Sequence, residues 1–410
     1  MTEILDERAA ALAQVANFTV FDQNDLTALY DLYHRFQSHC PVGRSEALGG
    51  YWVLTRREHV FTVLRDPVTF SSTIITVPPH CPEIGAPIPI QVDPPEHTKY
   101  RHDLQRMFSP TVAASIGEGA RARARTTLRQ IRDVGRAEAV SQFCEPFPAI
   151  TFALLVGVPV DALGQLLYWK NVKIRDGFHP DPERRRYVAE VIRPTVVTYF
   201  QKLLDLRREQ GADAPDDVLR SLTLATFDGR PWTENEILRT IELLMDAGLD
   251  TTTSVLARSM HYLATNPQLQ QELRADRSLI PQAVEEFLRM FAPLSVARLV
   301  TTDVELGGVQ LKKGDLVLLV TPAASRDPFD YDRPDEVDLH RGPTRHLAFG
   351  AGPHRCLGSH IARVSLTVAL EELFEQWPEF RLTAGRTPQF HTGLLLGLDE
   401  LWLDIGTRKN

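Results

Sequence analysis

Residues 233–266 carry apolar side chains at three-to-four spacing with no interior proline. Thr233-x-x-Glu236 is a capping box at its start, and Asn266-Pro267 ends it. A helix of that length runs roughly 50 Å at ~1.5 Å per residue, so the rest of the chain must be built around it. Its centre is costly. Asp246-Ala247-Gly248-Leu249-Asp250-Thr251-Thr252-Thr253-Ser254 gathers residues of poor interior helix propensity, and Asp246 and Asp250 are like charges at i, i+4. Two readings are open. One is a solvated polar stretch on an exposed helix. The other is a built defect: Thr251 turns its hydroxyl to the carbonyl of Ala247, Gly248 leaves room for a small ligand, and Asp250 with Thr251 offers a carboxylate and a hydroxyl suited to proton delivery.

Helical periodicity also covers 112–140, 196–210, 281–291 and 357–376. Short strands are expected at Tyr51–Thr55, Arg298–Thr302, Val304–Leu306, Val309–Leu311 and Leu316–Val320, with turns at Gly307-Gly308 and Lys313-Gly314-Asp315. The fold class is therefore mainly α with a small antiparallel β region. Two irregular segments stand out, the Pro-rich 74–95 and the loop 176–184. Long loops of this kind serve as lids or as plain surface connections.

Lys+Arg number 45 and Asp+Glu 53, for a net charge of −8. That balance argues against binding nucleic acid through overall charge. No run approaches ~18 apolar residues, so no membrane span is expected, and the acidic, Ala-rich start lacks a signal-peptide pattern. The four cysteines, Cys40, Cys81, Cys144 and Cys356, form no C-x-x-C. This excludes a zinc ribbon or dithiol motif and fits a reducing, cytoplasmic compartment.

Two further patterns carry chemistry. Glu286-x-x-Arg289 is by itself a common surface ion pair. The segment His346-Leu-Ala-Phe349-Gly350-Ala-Gly352-Pro-His354-Arg-Cys356-Leu-Gly358-Ser-His360 places a cysteine after a glycine-shaped turn, at the start of an amphipathic helix. Free N–H groups there favour a thiolate, and Gly358 permits close approach of a flat ligand. Three readings compete: a buried free cysteine, a zinc site using His354, Cys356 and His360, and a thiolate ligand to haem iron.

Phe349-Gly350-x-Gly352-x-His354-x-Cys356-x-Gly358 resembles the haem-binding signature of the cytochromes P-450. Ala247-Gly248-x-Asp250-Thr251-Thr252 resembles the family's oxygen-activation motif. Glu286-x-x-Arg289 resembles its structural ion pair. Asp93-Pro94-Pro95-Glu96-His97-Thr98-Lys99-Tyr100-Arg101 resembles its propionate-binding segment. The likeness runs from about Tyr51 to Asp404. Glu145-Pro-Phe-Pro148 and Gly308-Val-Gln-Leu-Lys-Lys-Gly-Asp315 are similar to the camphor-hydroxylating bacterial branch.

The resemblance implies one P-450 domain over 1–410, with residues 1–17 a loose extension, and a long central helix over haem b. Cys356 would be the axial thiolate and the metal ligand. His97, Arg101, Arg298 and His354 would hold the propionates, Phe349 would pack beside the sulfur, and Gly358 would lie against the cofactor. Asp250 and Thr251 would pass protons to dioxygen. The family's ion pair often has a third basic arm; Glu336 stands at that slot, which leaves Arg333 or Arg341 to supply it. Leu243, Asp246, Ala247, Leu294, Val296, Leu394, Leu395 and the loop from Ile84 to Ile90 would line the substrate chamber. Asp246 would hold a polar substrate group there, or else bond to a neighbouring loop or helix. The expected reaction is hydroxylation or O-dealkylation of a small, mostly hydrophobic molecule with dioxygen and two electrons. Neither a P-loop nor a Rossmann fingerprint is visible, so electrons from NAD(P)H are expected through a separate [2Fe–2S] ferredoxin and its reductase, docked on Lys99, Arg106, Arg345 and Arg355. The alternatives are a peroxide-driven haem-thiolate oxidase and a haem-based gas sensor.

Overall fold

The capping box forms as expected: the Thr233 hydroxyl accepts from the Glu236 N–H at 3.3 Å, and the Glu236 carboxylate accepts from the Thr233 N–H at 2.7 Å. From it runs an unbroken helix, Glu234–Thr265, in the computed structural model, which describes residues 2–21, 25–79, 85–177, 179 and 181–406. In chain order the helices are α1 (Thr2–Ala16), α2 (Leu26–His39), α3 (Arg57–Arg65), α4 (Glu96–Gln105), α5 (Pro110–Val134), α6 (Pro146–Val156), α7 (Leu163–Asp176), α8 (Pro182–Tyr187), α9 (Arg193–Gln210), α10 (Val218–Thr223) and α11, the central helix. After it come α12 (Pro267–Ala275), α13 (Ile280–Met290), α14 (Thr321–Ala324) and α15 (Ser359–Gln376). No helix is long and apolar enough to cross a membrane among the described residues.

The periodicity read as 112–140 ends early. Gly135, at φ 80°, closes α5 after Val134, because a left-handed glycine accommodates the terminal turn. Residues 136–138 then enter a strand. Residues 74–79 and 85–95, and the join between α7 and α8, carry no helix or strand among the described residues.

The largest sheet joins Val42–Ser45, Tyr51–Leu54, Leu316–Leu319, Val296–Val300 and Phe70–Ser71, in that order. Its pairings are antiparallel except one: Leu316–Leu319 runs parallel to Tyr51–Leu54, with Leu318 opposite Val53. The strand expected at Arg298–Thr302 lies two residues earlier, since Val296 pairs with Leu319. The hairpin Val304–Leu306 with Val309–Leu311 turns at Gly307-Gly308.

Two apolar cores meet on α11. Its first half, through Leu249, packs with α6, α7 and α9; its second half, from Val255, packs with α5, α13 and α15. The polar stretch 250–254 falls at the seam between them. Helix α15 is held close to α5, where a Cβ on Gly117 would meet Val364 at 2.3 Å, and Trp377 Nε1 donates to Leu128 O at 2.9 Å. The loose extension expected over residues 1–17 is instead the helix α1. Ala11 and Val15 bury in a third core beside the large sheet, with Val15 resting against Gly43.

Candidate haem-thiolate site

The cysteine loop is shaped by its glycines. Gly350 and Gly352 adopt φ 64° and 68°, and a Cβ on Gly352 would lie 2.2 Å from Leu64 O. The turn closes with the Cys356 N–H donating to Phe349 O at 2.8 Å. Helix α15 then starts at Ser359, which places Cys356 just before its N-terminus. Cys40 and Cys144 are buried free thiols, whereas Cys356 is exposed. Surrounding protein still desolvates Cys356 and pushes its thiol pKa up, while the Gly358 N–H, Arg101, Arg355 and Arg363 pull it down. The accessible thiol thus has a backbone donor and cations beside it that favour a thiolate. Cys81 and Ile84 lie outside the described residues.

The zinc reading loses its ligand set. No three His, Cys, Asp or Glu side chains are grouped to hold a metal ion among the described residues. His354 instead packs against His97, with ring centroids 4.1 Å apart.

Those two histidines belong to a basic cluster with no free carboxylate among the described residues. His97 Nδ1 and His354 Nε2 are buried and unpartnered. Arg298 is buried, donating to Ala297 O at 2.7 Å, and Arg101 donates to Arg355 O at 2.5 Å. Burial pushes the His354 pKa down to about 2, with His97, Arg298 and Arg101 adding repulsion. His97 is pushed down to about 4 by burial and Arg101. Burial lowers Arg298 to about 10 against the pull of Asp93. Asp93 is already engaged, accepting from the Ser72 N–H at 2.7 Å and from the Ser71 hydroxyl. Four bases crowded without a free carboxylate suit a ligand that brings two of its own. These residues therefore fit haem: Cys356 would supply a thiolate to the iron, and the basic cluster would hold the propionates.

Sequence missed the group that backs Phe349. Arg363 lies 4.5 Å above its ring, and Glu285 binds Arg363 at 2.5 Å and His346 at 3.2 Å. Glu285 directly precedes the noticed Glu286, but nothing in the local pattern separates their faces.

Glu286 and Arg289 are fully buried and bonded at 2.9 Å, so the surface-pair reading fails. Arg289 also donates to the carbonyls of Pro334 and Glu336. Arg341 supplies the third arm, at 3.1 Å from Glu286. Arg333 does not; it binds Glu336 and Asp338. Glu336 thus contributes its carbonyl, and its carboxylate faces outward.

On α11 the Thr251 hydroxyl donates to Ala247 O at 2.7 Å. Ala247 and Gly248 are exposed, while Leu249, Asp250 and 252–260 are buried. Gly248 aims its Cβ direction at Phe152 of α6, 3.4 Å away, so it eases helix packing as well as leaving space. The expected repulsion between Asp246 and Asp250 is relieved by lysines that sequence reasoning did not flag. Lys170 Nζ sits 2.7 Å from Asp250 and 2.8 Å from Glu145, and Lys173 Nζ sits 2.9 Å from Asp246. Lys170-x-x-Lys173 on α7 looks like an ordinary solvated pair in one dimension. Asp246 Oδ1 keeps no partner, and burial raises the Asp246 pKa against the pull of Lys173.

The expected chamber wall is partly assembled. Leu294 bridges to Leu395, and the Ser295 N–H donates to Leu394 O at 3.1 Å. Leu294, Val296 and Leu394 are half-buried, and Leu395 is buried. Leu243 and Asp246 line a cleft under the 85–87 loop. Ile88 is buried in the core at 3% exposure and does not line it.

A family model described as Cytochrome P450 matches residues 176–393. "Probable cytochrome P450 127A1" of Sinorhizobium fredii is 32% identical over 355 residues, covering 86% of this chain and 83% of that protein. "Mycinamicin IV hydroxylase/epoxidase" of Micromonospora griseorubida is 33% identical over 374 residues, covering 89% and 92%. Among solved structures, that of CYP101J2 superposes with a TM-score of 0.84 at 27% identity, covering 95% of this chain and 97% of that one.

Proposed function

This chain belongs to the cytochrome P450 family and is a haem-thiolate monooxygenase; on that premise we propose that it hydroxylates or O-dealkylates a small, mostly hydrophobic substrate, using dioxygen and two electrons. The observation that carries this reading is the pairing of an accessible thiol, Cys356, with four bases, His97, Arg101, Arg298 and His354, whose neighbouring carboxylate, Asp93, is already bonded to Ser71 and Ser72. Bound there, haem supplies dioxygen activation, and a thiolate ligand favours O–O cleavage. Burial raises the Cys356 thiol pKa, and the Gly358 N–H with Arg101, Arg355 and Arg363 counters that rise in favour of the anion an iron would take. The half-buried leucines and Val296 exclude water and orient an apolar substrate.

Proton delivery is assigned to Asp250 and Thr251. Thr251 anchors its hydroxyl on Ala247 O at the open face of α11. Asp250 reaches back to Lys170 beside a cavity lined by Glu145, Asn171, Ser254, His391 and Asp399. Protons entering there pass along the Lys170–Asp250 pair toward the Thr251 hydroxyl.

Electrons from NAD(P)H are assigned to a separate ferredoxin and reductase. The expected docking patch is smaller than sequence implied. Lys99 is paired with Asp228 at 2.6 Å and Arg106 with Asp216 at 3.5 Å. Arg345 and Arg355 are exposed and have no carboxylate within ion-pair reach among the described residues. The free thiols of Cys40 and Cys144 support a reducing, cytoplasmic setting.

The reduced protein with carbon monoxide is expected to absorb at about 450 nm, the wavelength in the family's name, because thiolate ligates the iron. Absence of that band from freshly purified holoenzyme refutes the Cys356 assignment. Thr251→Ala should uncouple NAD(P)H use from product and release peroxide; retained coupling would overturn the proton role.

A further inference from the structure

The cleft beside the substrate chamber is charged, and its charges do not cancel. Two adjacent i, i+4 rows run along this stretch of α11. One is acidic: Glu242, Asp246 and Asp250. Each member is already matched, by Arg193 at 3.1 Å, Lys173 at 2.9 Å and Lys170 at 2.7 Å. The neighbouring row is Arg239, Leu243, Ala247 and Thr251. It leads from a cation, past an apolar wall, to the small residue and hydroxyl at the open centre of the helix.

Arg239 has no carboxylate within ion-pair reach among the described residues, because Glu236 is taken by Arg230 at 2.7 Å. Its Nε and Nη2 donate to Ala86 O, which pins the Pro-rich loop over the cleft and leaves Nη1 unused. Burial lowers its pKa, with Arg193 adding to that and Tyr100, Glu236 and Glu242 opposing it, but neither carboxylate forms an ion pair with it. A half-buried guanidinium that lines a cleft with Arg193, and has donors to spare, suits a carboxylate.

We propose that the substrate is an amphipathic monocarboxylic acid whose carboxylate binds Arg239 and whose apolar body lies along Leu243 toward Ala247 and Thr251. This rests on the monooxygenase reading above and adds the substrate class to it. The helix sets the length. Ala247 and Thr251 lie eight and twelve residues past Arg239, or roughly 12–18 Å at ~1.5 Å per residue. An extended chain advances roughly 1.2 Å per bond, so the oxidised carbon lies about ten to fifteen bonds from the carboxylate.

The test uses holoenzyme titrated with decanoic, dodecanoic and tetradecanoic acids, the matching n-alkanols and n-alkylamines, read by the haem spin-state shift and by calorimetry. The acids should bind more tightly than the alkanols, with an advantage that shrinks as salt rises. Arg239→Gln should weaken acid binding roughly 10–100-fold, the range of a charged hydrogen bond, and leave alkanol binding within about twofold. Arg239→Lys should restore part of the loss. If Arg239 only pins the loop, Arg239→Gln will weaken acids and alkanols alike, and the proposal falls. Equal binding of acids and alkanols, or preference for the amines, overturns it as well. Each of these failures leaves the carbon monoxide band and the NAD(P)H-to-product coupling of wild type intact, whereas failure of the haem-thiolate monooxygenase reading removes one or the other.

Discussion

Gly352→Ala should destabilise the cysteine loop far more than Gly350→Ala, although the two glycines have nearly the same positive φ. Both lie in the left-handed region, at φ 68° and 64°, where an alanine costs about 1–2 kcal/mol. At Gly350 that is the whole cost, since nothing lies within 4 Å of an added Cβ. At Gly352 the Cβ would sit 2.2 Å from Leu64 O and 3.1 Å from Arg65 Cα. The obstructing atoms are backbone at the end of α3, so the loop or the helix must move. Overpacking of this kind adds about 1–3 kcal/mol. The expected totals are about 2–5 kcal/mol for Gly352→Ala and about 1–2 kcal/mol for Gly350→Ala. Urea unfolding of each holoenzyme, followed by circular dichroism and by the Soret band, measures the difference. Haem loss should precede loss of helix in the Gly352→Ala protein, because the strain falls where the loop carrying Cys356 meets α3. Equal midpoint shifts, or a larger shift for Gly350→Ala, would refute the claim that close approach to α3 is what demands glycine at 352.

Glu286→Ala leaves Arg289 wholly buried without its carboxylate and is expected to cost about 3–5 kcal/mol, read as a lower unfolding midpoint; a loss under about 1 kcal/mol would show that Arg341 and the backbone carbonyls suffice. Burial pushes Glu285 up, but its bonds from His346 and Arg363 win and hold it down to about 2. A depressed carboxylate stabilises the fold above its ordinary pKa, and that stability drains as pH falls toward the folded value. The stability gap between wild type and Glu285→Gln should therefore narrow from pH 4.5 toward 2; a gap independent of pH contradicts the pairing. Arg345→Glu should slow reduction by a [2Fe–2S] ferredoxin and flatten its salt dependence, with the carbon monoxide band unchanged. Stopped-flow rates matching wild type would remove this face as the docking surface.

Much of the site was legible because its signals are local. The glycines before Cys356, the capping box at Thr233 and the threonine back-bond at Thr251 each depend on neighbours within four residues. The strand at Val296–Val300 was misplaced by two residues because its register is set by Leu316–Leu319, a partner about twenty residues away. The same distance effect hid Arg341 as the third arm on Glu286, and Lys170 and Lys173 as the partners of the central carboxylates.

By itself, the sequence determined the helix-rich class, the long central helix with its polar middle, the one cysteine suited to ligation and the family resemblance. Tertiary structure alone decided which charges are spent. Asp246 and Asp250 read as repelling anions in one dimension, and packing α7 against α11 turns them into paired groups. The same packing leaves Arg239 with donors unused, and packing α4 and the strand Val296–Val300 against the cysteine loop gathers four bases with no free carboxylate among the described residues. The physical reason is range. Backbone preferences act within a helical turn, whereas the cost of an unpaired buried charge depends on whatever the fold brings within a few ångströms.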